Sequence, residues 1–457
     1  MPVLNKAKQV VAVEPEVTVL PRQEHGDRVC VDDLELSDDQ SIAYSKILFW
    51  ARSGRPLFYL GGYAGTGKTS IAARLCSDIS SVAFCAYTGK AASVLRSKLW
   101  GTGSLADVST IHSLIYMPDN DSPGKSNVVG RWRGAASVNT LAASTGGKEK
   151  QWKLRKELGI SPQVIVVDEA SMVTSEILRD LLSFEIPVLL LGDPMQLPPV
   201  GGGEINLERV PESAMLERIH RQAEGSDILR FATQVRSGVP YYDIPVGGDV
   251  SKVSAKQLPF ALRDAYEEYG TEDVGVLCYR NDSRIALNDM GQSAHRAVLG
   301  SRVPRDREFF SGMPVMNLFN YSTSILNGMR GFIRKAEVDR WWLSGEFVFR
   351  DEGVVVAGDA FGPQFDSTTV FDSLDACTRF FEKADPNVRL HPDTWAVDLG
   401  LLMDFAYAMT THKSQGSQFR KVFLKVERPY GIDDLSFQRW LYTSVTRASE
   451  SLTIVVG

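Results

Sequence analysis

The sequence predicts an α/β fold in which two domains are each built around a parallel sheet. Short apolar runs recur along the chain, and several are followed by a glycine or an aspartate and then by a helical pattern. This alternation is typical of parallel sheets covered by helices. The runs form two groups, which indicates two sheets and therefore two domains. The predicted strands cover residues 57–60, 82–87, 164–167, 188–191, 274–278, 422–426 and 453–456.

Helical patterns follow the first three of these runs. SIAARLCSDI comes after the first, AASVLRSKL after the second and SEILRDLL after the third, each with apolar residues three or four apart. Three other segments do not fit the alternation. The first is a polar N-terminal arm at 1–34, whose role the sequence does not indicate, and the second is an insertion at 114–163. The third, at 332–399, is rich in Val, Phe and Trp, which predicts a small β module inside the second domain.

Composition indicates a soluble globular protein. The 457 residues are 44% hydrophobic and 23% charged, and the formal net charge is −6. No stretch approaches the roughly 18 apolar residues of a membrane span, and the N-terminus lacks a secretory signal, so we expect a cytoplasmic protein with no membrane partner. The five cysteines are scattered without metal-ligand spacing. A local basic patch is nevertheless present, because residues 122–157 carry eight Lys or Arg against two Glu.

A glycine-rich loop follows the first predicted strand. GYAGTGKT at 62–69 fits G-x-x-x-x-G-K-[ST] and precedes a helical pattern. Its backbone N–H groups and the helix N-terminus suit phosphates, Lys68 would reach the β- and γ-phosphates, and Thr69 would ligate Mg²⁺. An ordinary glycine turn is the alternative, and the flanking strand and helix disfavour it. The predicted nucleotide-binding residues of the loop are Gly62, Gly65, Thr66, Gly67, Lys68, Thr69 and Ser70.

Polar residues end two later strands of the same predicted sheet. VIVVDEASM places Asp168, a predicted Mg²⁺ ligand, and Glu169, which would orient and deprotonate the attacking water. LLLGDPMQLPPV places Asp193 and Gln196 at the same sheet edge, where Gln196 would sense the γ-phosphate or the water. Helix capping is the alternative for the acidic pair, and a proline-stiffened turn is the alternative for the second block.

These blocks, in this order, resemble the superfamily 1 helicases. The resemblance covers most of the chain and is greatest to the RecD- and Dda-like class, superfamily 1B, with a layout most similar to phage Dda helicase. It implies two RecA-like P-loop domains that bind ATP and Mg²⁺. The implied division is an arm at 1–34, domain 1A at 35–220 with a 1B insertion at 114–163, and domain 2A at 221–331 and 400–457 with an SH3-like domain 2B at 332–399.

The resemblance assigns further residues to the nucleotide. Gln40 in DDQSIAY is similar to the glutamine that reads adenine, although a lone glutamine in an amphipathic helix is more often a surface residue. Arg221 in LERIHRQAEG and Arg447 in LYTSVTRASE match the arginine fingers of the family, with a surface ion pair as the alternative. Gln415 and Gly416 in THKSQGSQF would also face the nucleotide.

The resemblance also implies a nucleic-acid surface. AYTGKAASVL resembles a strand-contacting motif, with Tyr87 where a proline is more usual. In the insertion, Trp132 between two arginines either stacks on a base or steadies a small module. The implied contacts are Thr88, Lys90, Thr110, His112, Trp132, Asn281, Thr410, Thr411, His412 and Lys413.

The implied activity is ATP-dependent translocation 5′ to 3′ on single-stranded DNA with unwinding of duplex DNA. Expected partners are single strands, duplex junctions and single-strand-binding, replication or recombination proteins, in a bacterial or phage-infected cytoplasm, and the motor is expected to be monomeric. One alternative is a translocase that displaces proteins without unwinding. Another is a RecD-like motor subunit of a recombination nuclease. Viral RNA helicases are disfavoured by GDPMQLPPV and THKSQGSQF.

Overall fold

The computed structural model describes residues 16–19, 36–101, 108–118, 152–199, 202–218, 225–303, 309–317, 328–339, 342–349, 354–361 and 401–456. Two predicted site residues, Trp132 and Arg221, lie outside these ranges. None of the helices found in these ranges is long and apolar enough to cross a membrane.

The described elements alternate along most of the chain. The strands are β1 (Glu16–Val19), β2 (Leu57–Gly62), β3 (Val82–Ala86), β4 (Val108–Thr110), β5 (Tyr116–Pro118), β6 (Trp152–Leu154), β7 (Val164–Asp168), β8 (Val188–Gly192), β9 (Ser213–Leu216), β10 (Val250–Ser254), β11 (Val274–Cys278), β12 (Pro314–Asn317), β13 (Arg330–Asp339), β14 (Trp342–Phe349), β15 (Val354–Phe361), β16 (Leu401–Phe405), β17 (Ala408–Thr410), β18 (Phe419–Lys425) and β19 (Ala448–Val456). The α-helices are α1 (Asp38–Ala51), α2 (Lys68–Asp78), α3 (Gly89–Gly101), α4 (Ile111–Ile115), α5 (Ser175–Leu182), α6 (Asp227–Arg236), α7 (Leu258–Tyr269), α8 (Asn281–Leu299), α9 (Thr411–Ser414) and α10 (Asp434–Val445).

The first sheet is parallel throughout its described strands, in the order β4-β3-β7-β8-β2-β9. Its central strands are continuous apolar runs because helices cover both faces. Alternate residues enter different clusters, so that Val166 packs on one side of the sheet while Ile165 packs on the other. In register, Gly61 of β2 lies opposite Gly192 of β8. The predicted polar strand ends therefore meet at one edge.

The second sheet is also parallel, in the order β10-β19-β18-β11-β17 over the described residues. The predicted α/β class with two parallel sheets is thereby confirmed. Helix α8 is attached to this sheet by Asn288, a fully buried side chain whose Oδ1 accepts the backbone N–H of Ala408 at 2.7 Å. Asn288 thus has a structural role in β17, which leads into the THKSQG block.

Asn288→Ala should lower the free energy of unfolding by about 1–3 kcal/mol, because the N–H of Ala408 would be left buried without this acceptor. Thermal unfolding followed by circular dichroism measures the effect. Asp289→Ala, an exposed position on the same helix, is the matched control and should change the midpoint little. Equal midpoints for the two variants would contradict this role of Asn288.

The β module forms a third sheet, in the order β1-β15-β14-β13-β12-β16. Its pairs are antiparallel except for β15 with β16, and that additional parallel pair closes β12–β16 into a ring. These strands belong to one compact unit, and both parallel sheets belong to another. The module is wider than the predicted 332–399, since β12 and β16 lie outside those bounds, and β1 adds a strand from the arm at 1–34.

Candidate functional site

The glycine-rich loop joins the end of β2 to the start of α2 at Lys68. Gly65 and Gly67 have φ angles of 80° and 82°, in the left-handed region that favours glycine. A Cβ at Gly62 would lie 2.6 Å from Thr66 Oγ1 and 3.1 Å from the Leu216 Cβ. The Thr66 hydroxyl donates to the carbonyl of Tyr63 at 2.8 Å. The loop is therefore a tight backbone turn, in which Gly65 and Gly67 adopt a conformation that favours glycine and a Cβ at Gly62 would clash.

Two polar side chains attach to this loop. Lys68 Nζ donates to the carbonyls of Gly62 at 2.6 Å and Tyr63 at 3.1 Å. Gln40 is 2% exposed, and its Nε2 donates to the carbonyl of Thr66 at 3.0 Å. Gln40 is consequently a buried loop contact and not the solvated surface residue that was the alternative. Thr69 and Ser70 follow in the first turn of α2 and are half-buried.

The acidic pair lies at the end of β7. Asp168 accepts the backbone N–H of Glu169 at 2.9 Å. Burial raises the pKa of the Asp168 carboxyl and Glu169 raises it further, whereas Lys98 and Lys68 act in the opposite direction. Glu169 has φ 55° and ψ 44°, a left-handed conformation that is unusual for a non-glycine residue and costs on the order of 1–3 kcal/mol. The fold therefore maintains backbone strain at the predicted catalytic carboxylate.

Gln196 connects this carboxylate to the second sheet. Its amide orientation is assigned from its neighbours: the nitrogen donates to Glu169 Oε2 at 2.7 Å, and the oxygen accepts from Arg447 Nη2 at 3.2 Å. Arg447 is 6% exposed, and its Nε and Nη1 donate to the carbonyls of Thr443 (3.0 Å) and Ser417 (3.3 Å). Arg447 is thus no surface ion-pair residue. Three predicted residues from distant parts of the sequence form one hydrogen-bonded line.

Tyr442 is a site residue that the sequence reasoning did not select. Its hydroxyl donates to Asp193 Oδ2 at 2.8 Å and accepts the backbone N–H of Ala64, in the glycine-rich loop, at 3.0 Å. Asp193 is 2% exposed, and burial raises the pKa of its carboxyl, while Lys68 acts in the opposite direction. The only signal in the sequence was the aromatic residue in LYTSVTRASE, the block that supplied Arg447.

Further contacts join helix α10 and the THKSQG block to the loop that follows β8. The Thr443 hydroxyl accepts the N–H of Leu197 at 3.0 Å, and Gln415 Nε2 donates to the carbonyl of Leu197 at 3.2 Å. Gln415 therefore bonds directly to the loop that carries Gln196.

A cavity of about 370 Å³ lies beside Gln196. The ion pair of Arg439 with Glu204, at 3.2 Å, lines this cavity.

Gly416 packs against the start of α3. It has φ 74°, and a Cβ there would lie 2.8 Å from the Cβ of Ala91. Thr88 accepts the N–H of Ala91 at 3.1 Å, so this predicted strand contact also caps the helix. Lys90 is half-buried in the first turn. The predicted nucleotide-facing glycine and the first predicted strand contacts are consequently neighbours.

The second predicted strand-contacting motif lies at α4. Thr110 caps this helix by accepting the N–H of Ser113 at 3.1 Å. The His112 ring lies 5.8 Å from the ring of Tyr87 and 5.7 Å from that of Tyr116. Burial lowers the pKa of His112 to about 4, so the imidazole is neutral at pH 7. Any contact that His112 makes with a phosphate is therefore a neutral hydrogen bond.

In the THKS segment, the position of Thr411 differs from the predicted strand contact. Thr411 is fully buried and its hydroxyl bonds that of Ser444 at 2.8 Å, so this threonine holds α9 to α10 and does not face a strand. Thr410 and Lys413 are half-buried. The His412 ring lies 6.3 Å from that of Tyr279, and burial lowers the pKa of His412. Asn281 is exposed at the first residue of α8.

Two family models match separate parts of the chain. An AAA domain model matches residues 35–246, and a UvrD-like helicase C-terminal domain model matches residues 405–455. The protein R530 of Acanthamoeba polyphaga mimivirus is 31% identical, over 91% of this chain and 99% of that protein. The ATP-dependent RecD2 DNA helicase of Deinococcus radiodurans is 26% identical over 91% of this chain, which spans 48% of that relative.

Solved structures also resemble the chain. The Pif1 helicase from Bacteroides in complex with ADP-AlF3 and ssDNA aligns with a TM-score of 0.48 at 17% identity, over 93% of each chain. The Pif1 helicase from Candida albicans aligns with a TM-score of 0.45 at 17% identity, over 93% of this chain and 95% of that one.

Proposed function

We propose that this chain, which belongs to the superfamily 1B helicases of the RecD kind, is an ATP-dependent DNA helicase that moves 5′ to 3′ on single-stranded DNA and unwinds duplex DNA. The RecD2 relative is an ATP-dependent DNA helicase by name, which supports the substrate class. A particular closeness to the phage Dda helicase remains a prediction.

The line from Glu169 through Gln196 to Arg447 carries the proposal. Glu169 follows a strand of the first sheet, whereas Arg447 lies between α10 and β19 of the second. Hydrogen bonds at 2.7 Å and 3.2 Å join them through one amide. A carboxylate proposed to act in hydrolysis, bonded through Gln196 to an arginine beside the second sheet, suits an enzyme in which hydrolysis and domain movement occur together.

The loop residues fit a triphosphate with Mg²⁺. ATP is the substrate that would supply the phosphoryl group, and Mg²⁺ would supply positive charge that stabilises its phosphates. Lys68 would exchange the carbonyls of Gly62 and Tyr63 for phosphate oxygens, and Thr69 with Asp168 would hold the metal. Glu169 would orient the attacking water and accept its proton.

Arg221 and Arg447 are proposed to meet the γ-phosphate as the domains close. Closure of the domains would change how tightly each domain binds the strand, and hydrolysis would allow the domains to open again. The proposed strand contacts are Thr88, Lys90, Thr110, His112, Trp132, Asn281, Thr410, His412 and Lys413. Duplex junctions and single-strand-binding, replication or recombination proteins are the proposed partners of a monomeric motor.

Salt dependence separates the charged from the neutral strand contacts. Lys90→Gln should reduce the slope of log affinity against log salt concentration by about 0.7, the value for one phosphate contact on a single strand. His112→Gln should weaken binding with little change of slope, because burial lowers the pKa of His112 to about 4 and it releases no counterion. Fluorescence anisotropy with labelled oligodeoxynucleotides measures both slopes. A smaller slope in His112→Gln than in Lys90→Gln would contradict this assignment.

Duplexes with single-stranded overhangs test the function. DNA and RNA duplexes carrying a 5′ or a 3′ overhang are offered with ATP and Mg²⁺, and we expect opening only of DNA with a 5′ overhang. A strict requirement for a 3′ overhang would overturn the polarity. Displacement of streptavidin from a biotinylated single strand, without opening of any duplex, would identify a translocase that removes proteins. No hydrolysis of ATP with single-stranded DNA would overturn the proposal as a whole.

A further inference from the structure

Arg236 covers the glycine-rich loop from a helix that packs against the second parallel sheet. Its guanidinium carbon lies 3.6 Å from the ring centroid of Tyr63, the second residue of GYAGTGKT. Arg236 ends α6, a helix that packs near β10 and β19 of the second sheet. A guanidinium stacked at this distance leaves its N–H groups at the edge of its plane, where they can donate to an anion. Helix α6 therefore presents a cation directly on the loop.

Arg236 lacks the carboxylate partner that Arg230 and Arg420 have. Arg230, on the same helix, pairs with Asp227, and Arg420 pairs with Glu450 at 2.7 Å. Arg236 is half-buried, and within the part of the chain that the structure describes it forms no ion pair. A partly desolvated cation gains stability when an anion joins it, because its lost hydration is then replaced.

The position of Arg236 is held by the helix that precedes Arg447. Gln438 Nε2, on α10, donates to the carbonyls of Val235 and Arg236, both at 2.7 Å. Burial raises the pKa of the Tyr442 phenol and Asp193 raises it further, whereas the positive charge of Arg236 lowers it. Arg236 therefore lies close to Tyr442, whose hydroxyl accepts the backbone N–H of Ala64 in the glycine-rich loop.

The outer phosphates of a bound nucleotide would lie within reach of Arg236. Lys68, which contacts the β- and γ-phosphates in loops of this type, lies 3.1 Å from the carbonyl of Tyr63. We propose that Arg236 binds the γ-phosphate of ATP, with Tyr63 holding the guanidinium at the loop until the nucleotide arrives. This inference rests on the proposed function, since it adds a γ-phosphate contact to the same ATP site.

Nucleotide binding without hydrolysis provides the first test. The affinities of Arg236→Gln for mant-ADP and for the non-hydrolysable analogue mant-AMP-PNP are compared with those of the parent protein. We expect the affinity for the ATP analogue to fall about tenfold and that for ADP to stay within about twofold, because only the analogue carries the γ-phosphate. Arg230→Gln, on the same helix but paired with Asp227, is the matched control and should behave as the parent.

Two further variants separate binding from packing. Arg236→Lys keeps the charge but not the planar fork, so it should recover only part of the analogue affinity. Tyr63→Leu removes the stack and should weaken the analogue in the same direction. Equal losses for ADP and for the analogue in Arg236→Gln would overturn the inference, and so would unchanged affinities for both.

The two proposals fail differently. If the parent protein binds both nucleotides but hydrolyses ATP neither alone nor with single-stranded DNA, the proposed function is overturned while the binding comparison still judges Arg236. If the parent hydrolyses ATP and Arg236→Gln retains its full analogue affinity, only the inference about Arg236 is overturned.

Discussion

Lys68→Ala should reduce DNA-stimulated ATP hydrolysis by about a hundredfold or more, because it removes the ammonium that would stabilise charge on the β- and γ-phosphates. Lys68 Nζ is held at the loop by the carbonyls of Gly62 and Tyr63, so the group lies where the phosphates would bind. Steady-state phosphate release at saturating ATP, with and without single-stranded DNA, measures the loss. Affinity for the strand should change less than about threefold, since the predicted strand contacts are separate residues.

A second variant tests the same hydrolytic site at the predicted catalytic carboxylate, Glu169. Glu169→Gln should abolish turnover while leaving ATP bound, because an amide cannot accept the proton of the attacking water. Lys46→Ala, an exposed lysine on α1, is the control for loss of a positive charge. Full DNA-stimulated hydrolysis in either Lys68→Ala or Glu169→Gln would show that this loop and this strand end are not the hydrolytic site.

Both parallel sheets could be predicted because their signal is local. Buried parallel strands are continuous apolar runs, as in β7 and β8, and β7 is followed by a helix with a clear apolar period. The β module was harder to predict, since β12 has only four residues and pairs with β13 and β16, which come later in the chain. Short strands whose partners are remote leave little pattern within their own sequence.

The site shows the same distinction between local and remote information. The glycine-rich loop and the acidic strand end are continuous motifs, so residue type and spacing were sufficient to select them. Tyr442 and Arg236 depend on neighbours more than 170 residues away, Ala64 and Tyr63, and no spacing within their own segments reports those contacts. Thr411 was misassigned for the converse reason, since a buried threonine and an exposed one read alike in a polar motif.

Arg447→Lys should lower the turnover number of DNA-stimulated hydrolysis by about a hundredfold or more while ADP binding persists. The guanidinium donates in several directions at once, to the carbonyls of Thr443 and Ser417 and to the amide oxygen of Gln196. A lysine ammonium keeps the charge but cannot reproduce this planar set of donors. The hydrogen-bonded line from Glu169 to the second sheet would then end at Gln196. Closure of the domains would no longer bring a guanidinium to the γ-phosphate.

Single-turnover hydrolysis of preloaded ATP measures the chemical step of Arg447→Lys, and thermal unfolding of the same protein checks that the buried substitution leaves the fold intact. Arg420→Lys, at an exposed arginine of the same sheet that pairs with Glu450, is the control for an arginine-to-lysine change and should keep the parent rate. Gln196→Ala breaks the line one residue earlier, so it should slow the same step in a protein whose Arg447 is intact. Parent-like single-turnover rates in both Arg447→Lys and Gln196→Ala would contradict a role of this line in hydrolysis, because each variant interrupts it at a different bond.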